Sequence, residues 1–166
     1  MSQKNILISY IAYNNWANTT LLNHLNKIPE SLIDTEVESS FNTIRKTYFH
    51  IWDAQIIWLK RMQGVSMEKW PDKTNINNSD AWQISFLKQS EEFLNYFTDK
   101  SENYFDEICI YHDLKGNKYK QTYAQLIMHC MNHSTYHRGQ IITCMHQLKI
   151  SEIPQTDFIY YLRNFA

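Results

Sequence analysis

Glycine and proline occur only three times each in this chain of 166 residues. So few turn formers argue against a β-rich fold with many tight turns, and long helices are expected instead. The three cysteines, Cys109, Cys130 and Cys144, are an odd number with no C-x-x-C pair. That speaks against a disulfide framework and a thiolate zinc knot, and it suits a reducing cytosol. There is no surplus of positive charge. The 16 basic and 17 acidic residues leave a net charge of -1, unlike a protein that works on nucleic acid or an anionic membrane. No run of about 18 uncharged apolar residues exists, and the opening MSQKNILISYIAYNNWAN lacks the basic start and long apolar core of an export signal. The expectation is a soluble, cytoplasmic protein with a small-molecule substrate and neither nucleic acid nor membrane as partner. At this length one domain over residues 1–166 is expected, able to bury roughly 70% of the unfolded chain's surface.

Hydrophobic periodicity gives four long helices. The first runs from about Lys4 to Lys27, with Leu7, Tyr10, Ile11, Asn14, Ala17, Leu21, Leu22 and Leu25 at three- and four-residue steps, and Ile28-Pro29 closes it. The second is Phe41 to Met62, with Gly64 as its C-terminal cap. The asparagine- and lysine-rich VSMEKWPDKTNINNS reads as a loop, and Ser79-Asp80 is suited to cap a third helix from about Ala81 to Lys100. ICIYHDLKGNKYKQ has β-formers on both sides of Lys115-Gly116-Asn117 and reads as a short hairpin. Gln121 to about Leu148 is the fourth helix, and an aromatic-rich tail adds a turn or short helix. The predicted fold class is all-α, a four-helix bundle with a β-hairpin before the last long helix.

The fourth helix carries HCMNHSTYHRGQI, in which His129, His133 and His137 are spaced by four. Stepping by four and three from Leu126 gives Leu126, Cys130, His133, His137, Gln140 and Cys144, a heptad seam that points His133 and His137 inward. Two buried neutral imidazoles each bring a donor and an acceptor that need partners, and a divalent metal satisfies both acceptors at once. A packed, hydrogen-bonded pair is the competing reading, because H-x-x-x-H also arises by chance. A metal site needs a third ligand, from His24, His50, His112, His129, His146 or a carboxylate. His129 is rotated from His137 toward the edge of the stripe, as a flanking group. His50 lies mid-helix on a face shared with Asp53, Ala54, Ile57 and Arg61, which is either solvated or lines a polar pocket. No E-x-x-H, H-E-x-x-H, G-x-S-x-G or P-loop occurs, so di-iron carboxylate, metalloprotease, serine-hydrolase and nucleotide-phosphate chemistry have no foothold.

YNNWAN (Tyr13 to Asn18), HIWDAQIIWLKRMQG (His50 to Gly64), GNKY, HCMNHSTYHRGQI and PQTDFIYYL (Pro154 to Leu162) together resemble the DinB/YfiT-like superfamily over essentially the whole chain. The resemblance implies an up-down-down-up four-helix bundle, often a homodimer. It also implies one divalent metal per chain, zinc or nickel, held by three histidines, at the motif positions His50, His133 and His137. Similar proteins include S-transferases that use low-molecular-weight thiols such as bacillithiol or mycothiol. The implied function is a metal-dependent enzyme that transfers a low-molecular-weight thiol to an electrophile. A hydrolase acting through metal-bound water and a non-catalytic metal-binding stress-response protein are the alternatives. Asp53, one turn after His50, is a candidate to orient an imidazole or act as a base, and His129 a candidate supporting group; each is equally readable as an ordinary helix residue. Trp58 reads as a pocket wall or as core, Arg138 and Gln140 as structural, interface or substrate-contacting, and Cys130 and Cys144 as small core residues.

Overall fold

The computed structural model describes residues 2–72 and 79–166, and the side chains of all of these except 79 and 80. Residues 73–78 of the asparagine- and lysine-rich loop, and the capping side chains expected at Ser79 and Asp80, therefore lie outside the description. Helix α1 spans Gln3–Leu25, with the Ser2 hydroxyl accepting from the Asn5 amide. A single turn, α2, follows at Glu30–Ile33. Helix α3 is Ile44–Met62, three residues shorter at its start than the apolar pattern suggested. The reason is local. Asn42 takes a positive φ of 48°, which breaks the helical path, and Thr43 becomes the N-cap by accepting from the Lys46 amide. At the other end Gly64 has φ 82°, Val65 N–H bonds to Lys60 O and Gly64 N–H to Arg61 O, the pattern of a Schellman stop.

Helix α4 is Ser79–Thr98, and a 3-10 turn at Glu102–Asp106 leads to the hairpin of β1 (Ile108–His112) and β2 (Lys118–Thr122). The strands pair antiparallel with Ile110 opposite Lys120. Gly116, at φ 84°, closes the turn, and Asp113 Oδ1 accepts from the amides of Lys115 and Asn117. Helix α5, Tyr123–Gln147, begins with a capping box between Thr122 and Gln125. The tail forms α6, Phe158–Asn164.

Two apolar clusters fix the topology. One joins the start of α1 (Leu7, Ile11), the end of α3 (Leu59, Met62), the end of α4 (Phe93, Phe97) and the start of α5 (Ile127, Met131). The other joins the opposite ends: Leu21 and Leu22, Ile44 and Tyr48, Trp82 and Phe86, Ile141 and Met145. Helices α1 and α5 therefore run one way and α3 and α4 the other, an up-down-down-up bundle. Helix α5 sits between α1 and α3, and α4 packs on the other side of both. The tail crosses α1, where Phe158 and Tyr161 pack on Tyr13 and the Tyr13 hydroxyl donates to Thr156 O.

Between the clusters lies a polar layer. Arg138, 2% exposed, donates to Asn14 Oδ1 and Asn18 Oδ1 of α1 and to Thr135 Oγ1. Asn18 donates to Ser90 of α4, which donates to Gln55 of α3, so the chain of bonds reaches all four helices. The observed core stripe of α5 is centred one residue later than the heptad seam suggested. Ser134, Arg138 and Ile141 are buried, whereas His133 and Gln140 are half-buried. A straight α-helix drifts about 20° per heptad from a 3.5-residue repeat, which turns 133 and 140 to the flank. Asn18→Ala leaves the guanidinium short of an oxygen and Ser90 short of a donor. It is expected to lower stability by about 3 kcal/mol in urea unfolding, and a loss below about 0.5 kcal/mol, typical of a surface change, would rule out a stabilising polar layer.

Candidate metal centre

Helices α3 and α5 pack antiparallel, which lays the first half of α3 against the middle of α5. There His50 Nε2 stands 3.0 Å from His133 Nε2, and His137 Nε2 stands 3.1 Å from the same atom. A ligand atom from each of the three rings lies within 4.8 Å of the others. Two imidazole nitrogens on one tetrahedral zinc at about 2.0–2.1 Å stand roughly 3.3 Å apart, so the observed separations come within a few tenths of an ångström of a shared ion. A proton on His133 Nε2 serves one neighbour fully, whereas a divalent cation serves all three lone pairs.

The donor chemistry fits that use. Gln140 Oε1 lies 2.7 Å from His137 Nδ1. An amide oxygen only accepts, so His137 carries its proton on Nδ1 and keeps the Nε2 lone pair toward the cluster. Gln140 is itself steadied through its Nε2, which donates to Ser40 Oγ and Tyr136 Oη. Burial pushes the His133 pKa down to about 3, with the neighbouring His137, His50 and His129 adding to the shift. Burial also lowers that of His137, against the opposing bond from Gln140. Both rings are therefore neutral near pH 7, the state in which an imidazole is a ligand. His133 Nδ1 is buried and has no hydrogen-bond partner among the described residues.

The surroundings are aromatic. Phe41, released from the helix by the break at Asn42, stacks on His50 at 4.2 Å and meets His137 edge-on at 5.5 Å. A cavity of about 450 Å³ opens beside His50 and His133, walled by Trp58, Trp70, Arg61 and His129 and by the hairpin turn at Asp113 and Lys115. Trp58 faces this cavity, and His129 packs edge-on against it at 4.8 Å. His129 is exposed and lies outside the converging group, one turn before His133. Although the residue is exposed overall, partial desolvation of its ring against Trp58 and then the Arg61 charge lower its pKa. Asp53 is half-buried on α3 and is not among the converging groups. His24, His112 and His146 sit on α1, on β1 and in the last turn of α5, also outside the group. Cys130 and Cys144 are buried free thiols, and burial raises the Cys130 pKa far above the usual thiol range.

Phe41 has no reading at the site in the sequence, and Gln140 is read there as structural, interface or substrate-contacting, not as the partner of His137. Gln140 follows His137 by three residues, a spacing at which helix side chains meet, and that was the available signal. Phe41 left none, because its role depends on the backbone break at Asn42.

Fold and site together define an α-helical bundle protein with three histidines of two antiparallel helices converging at the wall of a cavity, an arrangement compatible with binding a divalent metal. The chain belongs to the DinB family, whose sequence model matches residues 1–163. It is 27% identical over 157 residues, 90% of each chain, to Protein DinB of Bacillus subtilis (strain 168). Among the described residues no helix is long and apolar enough to cross a membrane.

The lowered His133 pKa sets a pH dependence for the metal-free protein. The unfolded ring protonates below about pH 6.5 while the folded ring stays neutral to about pH 3, so the unfolded state binds more protons in this window. Stability present above pH 6.5 is therefore lost as pH falls toward 3. In chelator-treated protein the thermal midpoint should fall more steeply between pH 7 and pH 4 for wild type than for His133→Gln. Parallel slopes would remove the neutral-histidine account.

Proposed function

We propose that this DinB-family protein is a metal-dependent enzyme that binds one divalent ion, zinc or nickel, through His50, His133 and His137 and transfers a low-molecular-weight thiol to an electrophile. The observation that supports this reading best is the convergence of three imidazole nitrogens beside a cavity of substrate size. Three protein ligands suit a catalytic ion, since structural zinc is usually closed by four. The ion, when bound, supplies a positive charge that lowers the pKa of a ligated thiol or water. Gln140 holds the His137 tautomer, and Phe41 covers the rings and keeps bulk water from that side. Trp58 and Trp70 offer flat apolar walls to an electrophile. In the transfer, the thiol sulfur forms the new bond to carbon, the leaving group departs with its electron pair, and the thiol proton passes to solvent. His129 and Asp53 are retained as supporting groups near the cluster.

The reading includes one bundle domain over residues 1–166, a cytosolic setting, which the three free cysteines suit, and a homodimer. A hydrolase using the same ion to activate water is the alternative reaction, and a non-catalytic metal-binding stress protein the alternative outside enzymology.

Metal titration of the apo protein is expected to give about one ion per chain, with near-complete loss in His133→Ala and His50→Ala and only slight weakening in His129→Ala. A His50→Ala protein that binds as tightly as wild type would refute the cross-helix site. With zinc or nickel bound, conjugation of bacillithiol, coenzyme A, glutathione or cysteine to chlorodinitrobenzene or monochlorobimane should proceed and rise with pH through the ionisation of the bound thiol. Cleavage of activated esters without thiol would select the hydrolase. Inactivity across both panels with metal fully bound would favour the binding protein.

A further inference from the structure

The cavity beside the histidines reaches along α3 to Arg61, and nothing in the reaction sketched above uses that residue. Arg61 is 7% exposed. Its guanidinium lies 4.5 Å over the Trp58 ring and 5.3 Å over the Tyr111 ring, and its Nε is buried without a hydrogen-bond partner. Among the described residues no carboxylate forms an ion pair with it. The two ring faces compensate part of the lost hydration, but neither supplies an acceptor for the N–H fork.

Asp113 lines the same cavity and its charge favours the Arg61 cation, but the two form no ion pair, because the Asp113 carboxylate is engaged in the hairpin turn. It accepts from the amides of Lys115 and Asn117, from Asn117 Nδ2 and from the Tyr119 hydroxyl. Lys115 adds a second positive charge at the rim. The cavity therefore joins the His50 and His133 side of the histidine cluster to a desolvated guanidinium that no acceptor among the described residues satisfies.

We propose that Arg61 forms an anion subsite, and that the molecule activated at the histidines is acidic, carrying a carboxylate that docks on the guanidinium while its ligating atom lies at His50, His133 and His137. A planar fork with free N–H groups matches a carboxylate in two bonds, which a lysine at this position would not. Trp58, which carries the guanidinium on its ring face, lines the same cavity as His50 and His133 and offers such a molecule an apolar wall. The choice of a thiol as the ligating group rests on the thiol-transfer reading; the anion subsite does not.

The test is calorimetric binding to the zinc-loaded, full-length protein. A ladder of ω-mercaptoalkanoates, from propyl to octyl, is compared with ω-mercaptoalkanols of the same lengths. One charge-assisted pair corresponds to a preference of about tenfold for the carboxylate at the length that spans the cavity. That preference should fall toward one in Arg61→Met, survive in weakened form in Arg61→Lys, and persist in Lys115→Met. Equal binding of acids and alcohols by wild type at every length would overturn the proposal, as would an undiminished preference in a folded Arg61→Met. Should Arg61→Met not fold, the wild-type comparison and Arg61→Lys decide. A parallel ladder of carboxyalkyl and hydroxyalkyl hydroxamates separates the two ideas. A carboxylate preference among hydroxamates with no thiol binding would sink thiol transfer and keep the subsite. Thiol binding without preference does the reverse, and no binding by any probe overturns both.

Discussion

A guanidinium buried among neutral oxygens is the constraint on which this bundle turns. Among the described residues no carboxylate pairs with Arg138, so Asn14, Asn18 and Thr135, with the Tyr13 ring face, hold a full charge by neutral groups. Two of these oxygens come from α1, one turn apart, and only one rotation and one height of α5 brings Nη1 onto both. Neighbouring residues on a helix differ by about 100°. With Arg138 fixed on α1, His137 necessarily points about a quarter-turn away, toward α3, and His133 follows one turn below it. The buried polar layer thus sets the register in which the imidazoles of α5 meet His50. Apolar side chains alone would tolerate a slide of one turn, since the clusters above and below are aromatic and aliphatic throughout.

The same geometry keeps the histidines at the rim of the core instead of its centre. At the centre three neutral rings would be cut off from any substrate. At the rim they remain desolvated enough to resist protonation, as the depressed His133 shows, while one side opens on the cavity. Phe41 and Gln140 tune this from the covered side, the first by stacking and the second by fixing a tautomer. The hairpin completes the wall. Its turn residues reach the cavity because the His112 amide bonds to Ser66 Oγ and Cys109 Sγ lies against Arg61 O, tying β1 to the end of α3.

Much of this was legible in the sequence because it is periodic. The four helices, the hairpin about Gly116 and the Gly64 stop all follow from apolar spacing and turn chemistry, and the H-x-x-x-H step is geometry that any helix enforces. The seam of α5 was misplaced by one residue because Ser134 and Arg138 look like surface residues in a binary pattern, yet they occupy the core. Of their partners, Asn14 falls on the core step of the first helix, whereas Asn18 is equally silent. A buried polar network has no period of its own, and its members are recognisable only once the helices that share it are known to touch. Phe41 was assigned to a helix for the same kind of reason, because a positive φ at one asparagine outweighed an otherwise helical pattern.

Arg138 and Arg61 make an instructive contrast, since both are desolvated cations on helices that carry the converging histidines. Both leave Nε buried without a partner, but Arg138 engages its two terminal nitrogens with three oxygens and has little left to offer a ligand. Arg61 rests on two aromatic faces, which attract a cation but accept no conventional hydrogen bond of the strength a guanidinium N–H makes with an oxygen. Burial raises the cost of the charge in both cases, and only in the first do this chain's own acceptors offset it. A fold that needed merely to fill the space under Tyr111 would do so more cheaply with methionine or leucine. The incomplete satisfaction of Arg61, at the wall of the cavity that also holds the imidazoles, is the feature that bundle packing alone does not explain.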